Sequence, residues 1–163
     1  MSDWKALATA RTVEDFCAEY PHELLIGDAH AEPAEPTRSA RTLRLDPAEL
    51  KRLLAATSML SLVLPLVKRL STFPSMISVG RTANNDLVID DPQVSKFHAS
   101  FRRREGVLEL EDADSANGSY VDGVALVKGT PHALAGGELI RFGAVSFRLH
   151  TAESAWRWLT RTL

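Results

Sequence analysis

Residues 94–123, VSKFHASFRRREGVLELEDADSANGSYVDG, decide the fold. Short apolar and β-branched runs are punctuated there by Arg104-Glu105-Gly106, Asn117-Gly118 and Asp122-Gly123, sequences that reach positive φ at little cost and so turn a chain tightly. The same texture begins near residue 60 and continues to Gly136-Gly137 and beyond, with candidate strands at 62–67, 76–79, 87–89, 98–102, 107–110, 119–121, 139–142 and 145–149. No long helical stretch separates these runs, as the crossovers of a parallel sheet would require. The pattern predicts an all-β sandwich of two sheets.

Outside this region the patterning changes. Thr12, three residues before Asp15, forms a capping arrangement that opens a helix over 13–20, and Pro21 ends it. Residues 23–27 (ELLIG) read as a short strand and 28–38, rich in Ala, Pro and Glu, as a loop. Residues 42–45 alternate like a strand. Asp46-Pro47-Ala48-Glu49 then supplies a helix start, with Leu50, Leu53 and Leu54 on one stripe of a helix reaching Thr57. The stretch 151–163 lacks Gly and Pro and groups Ala155, Trp158 and Thr162 on one side, with Trp156, Leu159 and Leu163 near it, which predicts a terminal helix anchored by its tryptophans. The expected organisation is a mixed α/β extension at 1–59, a β-sandwich domain at 60–151 and a short C-terminal helix at 152–163.

Composition removes several functional classes. With 19 Lys and Arg against 21 Asp and Glu, a net charge of -2, the chain lacks the basic excess of a protein held on nucleic acid by phosphate neutralisation. Cys17 is the sole cysteine, so neither an intrachain disulfide nor a thiolate zinc cluster can form. His22, His30, His132 and His150 show no metal-ligand spacing. The apolar run 59–67 is far shorter than the roughly 20 residues that span a bilayer, and acidic residues occupy the place of a secretory apolar segment. The expectation is a cytoplasmic protein with no cofactor, metal, membrane or nucleic-acid partner.

A linked series runs through residues 80–143: Gly80-Arg81, Asn85-Asp86-Leu87, Ser95-Lys96-Phe97-His98, Ser115-Ala116-Asn117-Gly118-Ser119, Gly137-Glu138-Leu139-Ile140 and Phe142-Gly143. In order and spacing it resembles the forkhead-associated (FHA) family, over roughly residues 60–150. The resemblance implies an eleven-stranded sandwich whose end loops recognise phosphothreonine in a partner protein, the product of a Ser/Thr kinase. It also implies a residue set. Arg81 is the principal phosphate ligand; Ser95 and Lys96 face the phosphate, Lys96 through its backbone N–H or its ammonium; His98 braces the loops from within. Gly80 and Gly118 shape those loops.

The chemistry is independently reasonable. Phosphothreonine carries about -1.5 to -2 charges and three acceptor oxygens. Arg81 offers a permanently charged planar donor set after a glycine that lets the backbone turn. Ser95 offers a hydroxyl, and the Asn117 carboxamide both donates and accepts, which suits gripping the ligand's main chain. Three positions depart from the family pattern: Ala116 lacks the usual hydroxyl, Ser119 stands for Thr, and Glu138 stands for Asp. Gln93, Val94 and the Asp122-Gly123 loop are candidates for selecting residues beyond the phosphothreonine.

Ser95, His98 and Asp112 or Asp114 include the residue types of a hydrolytic triad, but no G-x-S-x-G elbow surrounds Ser95, and no enzyme is expected. Arg102-Arg103-Arg104 reads as a solvated turn balanced by Glu105, Glu109, Glu111 and Asp112. The competing reading is a phosphate-independent protein-protein assembly scaffold that associates with itself or with a partner through residues 1–59 and the terminal helix.

Overall fold

The turns that punctuate the sequence form as their chemistry dictates in a computed structural model of the chain, which describes residues 2–27, 62–70 and 75–161. Glu105 and Gly106 have φ of 51° and 84°, and Asp122 and Gly123 have 47° and 82°. Two consecutive positive φ values give a turn whose twist matches that of paired strands. The first turn joins β5 (Ala99–Arg104) to β6 (Val107–Asp112), and the second joins β7 (Ser119–Val121) to β8 (Val124–Ala125). With β1 (Leu24–Gly27), β2 (Val63–Pro65), β3 (Ile77–Gly80), β4 (Leu87–Val88), β9 (His132–Leu134), β10 (Leu139–Phe142) and β11 (Val145–His150), the described residues hold eleven strands. They form a six-stranded sheet, β2-β1-β11-β10-β7-β8, and a five-stranded sheet, β4-β3-β5-β6-β9. Between the sheets lies one core, centred on Leu25, Val79, Phe101, Leu110, Ile140, Phe142, Phe147 and Leu149.

The described residues hold three helices, α1 (Ser2–Thr9), α2 (Val13–Glu19) and α3 (Ala152–Arg161); α1 and α3 place side chains on the outer face of the larger sheet, and α2 packs against both of them. Thr12 caps α2, its hydroxyl oxygen accepting from the Asp15 N–H at 3.2 Å. Ala155 and Leu159, one turn apart, form the buried stripe of α3, and the two tryptophans anchor in different directions. Trp156 donates its indole N–H to the Ala8 carbonyl at 3.0 Å, whereas Trp158 packs with Trp4 against Leu24, Ile26 and Val63 of the sheet. This explains β1. Leu25 points into the sandwich while Leu24 and Ile26 point at the helices, so the strand is buried on both faces and reads as an unbroken apolar run. It comes from ahead of residue 60, yet pairs with β11 from Leu24↔His150 to Gly27↔Phe147.

A buried carboxylate ties the segment after β2 to the opposite sheet. Asp86 accepts from the Lys68 ammonium at 2.7 Å, from the N–H groups of Arg69, Leu70 and Ser78 at 2.7–2.8 Å, and from the Ser78 hydroxyl. Burial alone would raise its pKa, but the Lys68 charge and the three N–H donors prevail and hold the carboxyl well below the usual carboxylate range.

Several expectations need correction. The arginine run is not a turn: β5 continues through Arg104, pairing Arg102↔Glu109, Arg103↔Leu108 and Arg104↔Val107, and Arg103 forms a two-pronged bond to Glu23 at 2.6 and 2.8 Å. The strand expected at 62–67 is confined to β2. Helix α1 and strands β8 and β9 add to the elements expected from the sequence; β8 has two residues, both exposed, and so shows no alternation. The loop at 28–38, the strand at 42–45 and the helix at 46–57 lie outside the described residues. None of the described helices is long and apolar enough to cross a membrane.

Leu159→Ala is expected to lower the unfolding free energy by about 2–4 kcal/mol in urea titrations, because Leu159 is 1% exposed where α3 meets Ala8 and Phe16. Arg157→Ala, on the solvent side of the same helix, is expected to change it by less than about 0.5 kcal/mol.

Candidate functional site

The loops after β3, β4, β6 and β10 meet at one end of the sandwich. Gly80 closes β3 where the chain must pass the Lys96 carbonyl: a Cβ built on Gly80 would lie 2.2 Å from that oxygen and 2.7 Å from the Asn85 side-chain nitrogen. Its φ is not positive, so the glycine is required for close approach rather than for turning. The Lys96 carbonyl accepts from the Asn85 carboxamide at 2.6 Å and the Thr82 hydroxyl at 2.9 Å, and the Arg81 N–H donates to the Ser95 carbonyl at 2.9 Å. These bonds join the Arg81 loop to the Ser95 loop. Thr82 and Asn85 received no role from the sequence, because their acceptor is a main-chain carbonyl that no motif displays.

His98 is fully buried and joins the next pair of loops. Its Nδ1 accepts from the Ser95 N–H at 2.9 Å, and its Nε2 lies 3.1 Å from the Gly118 carbonyl. Only a neutral imidazole protonated at Nε2 satisfies both. Burial lowers its pKa from 6.5, with the Gly118 carbonyl and the Asp112 charge pulling the other way without prevailing.

Asp112, also buried, accepts from the Ser115 N–H and hydroxyl at 2.9 and 2.7 Å and from the Ser119 hydroxyl at 2.6 Å. Burial would raise its pKa, but these hydroxyl and N–H donors keep it lowered. Ser119 therefore supports the loop from beneath. Glu138 has a comparable task, accepting from the N–H groups of Ala135 and Gly136 at 2.6 and 2.8 Å.

Above this layer the cleft is lined by Arg81, Pro92, Gln93, Val94, Ser95, Lys96, Phe97, Ala116 and Asn117. The structure thus brings Arg81, Ser95, Lys96 and Asn117 together, with Gly80, His98 and Gly118 behind them. The Ser95 hydroxyl oxygen accepts from the Ala116 N–H at 3.0 Å, which leaves its proton to donate. Asn117 donates one side-chain N–H to the Gln93 carbonyl at 2.8 Å. Among the described residues, neither the Arg81 guanidinium nor the Lys96 ammonium has a carboxylate partner, and no acidic side chain lines the cleft.

The triad is absent. The Ser95 hydroxyl bonds the Ala116 backbone, both His98 nitrogens are engaged by main chain, and Asp114 is exposed and paired with Lys128 at 2.7 Å. Val94 forms part of the cleft wall but is 1% exposed and offers a ligand little surface, and the Asp122-Gly123 turn lies at the far end of β7 from Asn117, away from the cleft. Gln93 stays at the rim.

The protein is thus a two-sheet sandwich that carries a polar constellation in the loops of one end. Residues 77–143 match the family model of the FHA domain, and this part of the chain is an FHA domain. A 45-residue stretch is 44% identical to an oxoglutarate dehydrogenase inhibitor of Corynebacterium diphtheriae, covering 28% of this chain and 32% of that protein. A stretch of equal length is 42% identical to the glycogen accumulation regulator GarA of Mycolicibacterium smegmatis, covering 28% of each. The chain thus spans less than a third of the length of these curated relatives. The FHA domain of a Chlamydia trachomatis protein superposes with a TM-score of 0.51 at 18% identity, covering 79% of this chain and 96% of that one, a likeness of fold.

The neutral His98 makes stability depend on pH. Because its folded pKa lies below 6.5, the unfolded chain takes up the proton first as pH falls, so stability is full above about 6.5 and declines below it toward the lowered folded value. Urea unfolding between about pH 7.5 and 5 is expected to show this decline, and His98→Gln to flatten it.

Proposed function

We propose that the cleft binds a phosphothreonine-containing segment of a partner protein, the product of a Ser/Thr kinase, and catalyses nothing. The observation that carries the reading is the pair of cations, Arg81 and Lys96, facing one opening in which the described residues place no carboxylate. Two unpaired positive charges suit one dianionic phosphate, and the loop main chain and Ser95 hydroxyl add uncharged donors. Asn117 keeps one N–H and its carbonyl oxygen for the ligand's main chain. Ala116 puts a methyl group where a further donor would strengthen the grip. The matched relatives are named as an enzyme inhibitor and an accumulation regulator, and control exerted by docking is the class of work proposed for this chain.

A phosphothreonine peptide selected from an oriented library is expected to bind, and its unphosphorylated twin to show no binding by calorimetry. Arg81→Ala is expected to weaken binding by about a hundredfold, the equivalent of losing charge-assisted bonds, without lowering thermal stability. Ala116→Ser is expected to strengthen it by up to about tenfold. Equal affinity for the phosphorylated and unphosphorylated peptides, or self-assembly that survives Arg81→Ala in a chain silent toward the library, would favour the scaffold instead.

The ligand's second ionisation sets the pH profile. Affinity is expected to fall as pH drops below about 6, where the phosphate passes from dianion to monoanion. Unchanged affinity at about pH 5 would remove the phosphate from the mechanism.

A further inference from the structure

Behind the cleft, on the outer face of the six-stranded sheet, Arg141 stands opposite Tyr120 in the β10–β7 register. Its guanidinium carbon lies 3.5 Å from the centre of the Tyr120 ring, and among the described residues it has no carboxylate partner. Its Nη1 donates instead to the Gly143 carbonyl at 2.6 Å. Gly143 in turn touches both supports of Asn117. Its N–H donates to the Gly118 carbonyl at 3.0 Å, and a Cβ built on it would lie 2.4 Å from the Gln93 carbonyl oxygen, the acceptor that holds the Asn117 carboxamide. The Tyr120 ring closes the circuit from below, its edge 3.3–3.5 Å from where a Cβ on Gly118 would stand.

We propose that the Arg141–Tyr120 stack is the positioning device of Asn117: through Gly143 it fixes both the turn that carries Asn117 and the carbonyl that aims its side chain. The proposal rests on the phosphopeptide reading of the cleft, in which Asn117 grips the ligand's main chain. Arg141 touches no ligand in this scheme. A guanidinium stacked on a ring keeps a fixed plane, so its bond to Gly143 holds that carbonyl in one place. Gly143, with a φ of 59°, lies close enough to both loops that neither can shift alone.

The test uses the full chain with Arg141→Met, Tyr120→Leu, Tyr120→Phe, Asn117→Ala and the Arg141→Met/Asn117→Ala double substitution. In isotope-labelled protein without ligand, Arg141→Met is expected to shift the Asn117 side-chain amide and Gly143 N–H resonances. Tyr120→Leu is expected to move the same signals by a second route, which serves if Arg141→Met does not fold, and Tyr120→Phe, which keeps the ring, to leave them in place. With a phosphothreonine peptide, Arg141→Met is expected to weaken binding about fivefold to tenfold, a loss that disappears in the Asn117→Ala background. Binding of inorganic phosphate, which offers no main chain to Asn117, is expected to stay the same. Asn117 resonances unmoved by both Arg141→Met and Tyr120→Leu overturn the proposal, as do additive effects of the two substitutions in the double variant. A chain that binds no phosphopeptide while those resonances do move defeats the proposed function and supports the positioning role.

Discussion

The neutral imidazole of His98 is the constraint around which the site end is organised. It sits where β5 of the smaller sheet begins, accepts from the loop just before it, and donates across the sandwich to the residue that enters β7 of the larger sheet. A charged ring could not accept from Ser95, and a non-polar substitute would leave the Ser95 N–H unpaired, at about 1–3 kcal/mol, and take from the Gly118 carbonyl one of its two donors, the other being the Gly143 N–H. The ring's edge-on packing against Phe142, 5.6 Å between centroids, fixes its orientation with the hydrophobic core itself. The core and the cleft are therefore held by one side chain.

The disposition of charge follows a simple division. Asp86, Asp112 and Glu138 each receive main-chain N–H groups, and the first two are buried. Their charge is spent on holding segments of backbone. Among the described residues Arg81 and Lys96 have no such partner, and their exposed charges direct their field outward. Had any of these carboxylates lain beside Arg81, the cleft would have been neutralised from within and its claim on an anion weakened.

Strands bounded by explicit turns were legible in the sequence, because Glu105-Gly106 and Asp122-Gly123 signal positive φ and the residues between them alternate. So was the terminal helix, whose apolar stripe has helical spacing. Strand β9 was not, since Ala133 and His132 are exposed and only Leu134 is buried, and α1 carries no recognised start signal. In the site, residue types able to meet a phosphate could be named in advance. His98 could be named as a brace, but the rest of the support could not: Thr82, Asn85 and Gly143 act on the carbonyls of Lys96 and Gln93, and a backbone acceptor has no letter of its own. Gly80 shows the limit clearly, as its presence could be read but the reason for it required the neighbouring loop.

Strand β1 has a consequence for how the molecule is made. Its principal partner, β11, lies more than a hundred residues downstream, the register joining Leu24 to His150, and its outer face is sealed by a helix made later still. During synthesis the apolar residues of β1 therefore leave the ribosome long before the strand and the helix that cover them. Hairpins of both sheets, β5–β6 and β10–β11 among them, need only neighbouring residues to close, whereas the β1–β11 pairing is a contact of high order, of the kind that is slow to find and exposed to aggregation until it is found.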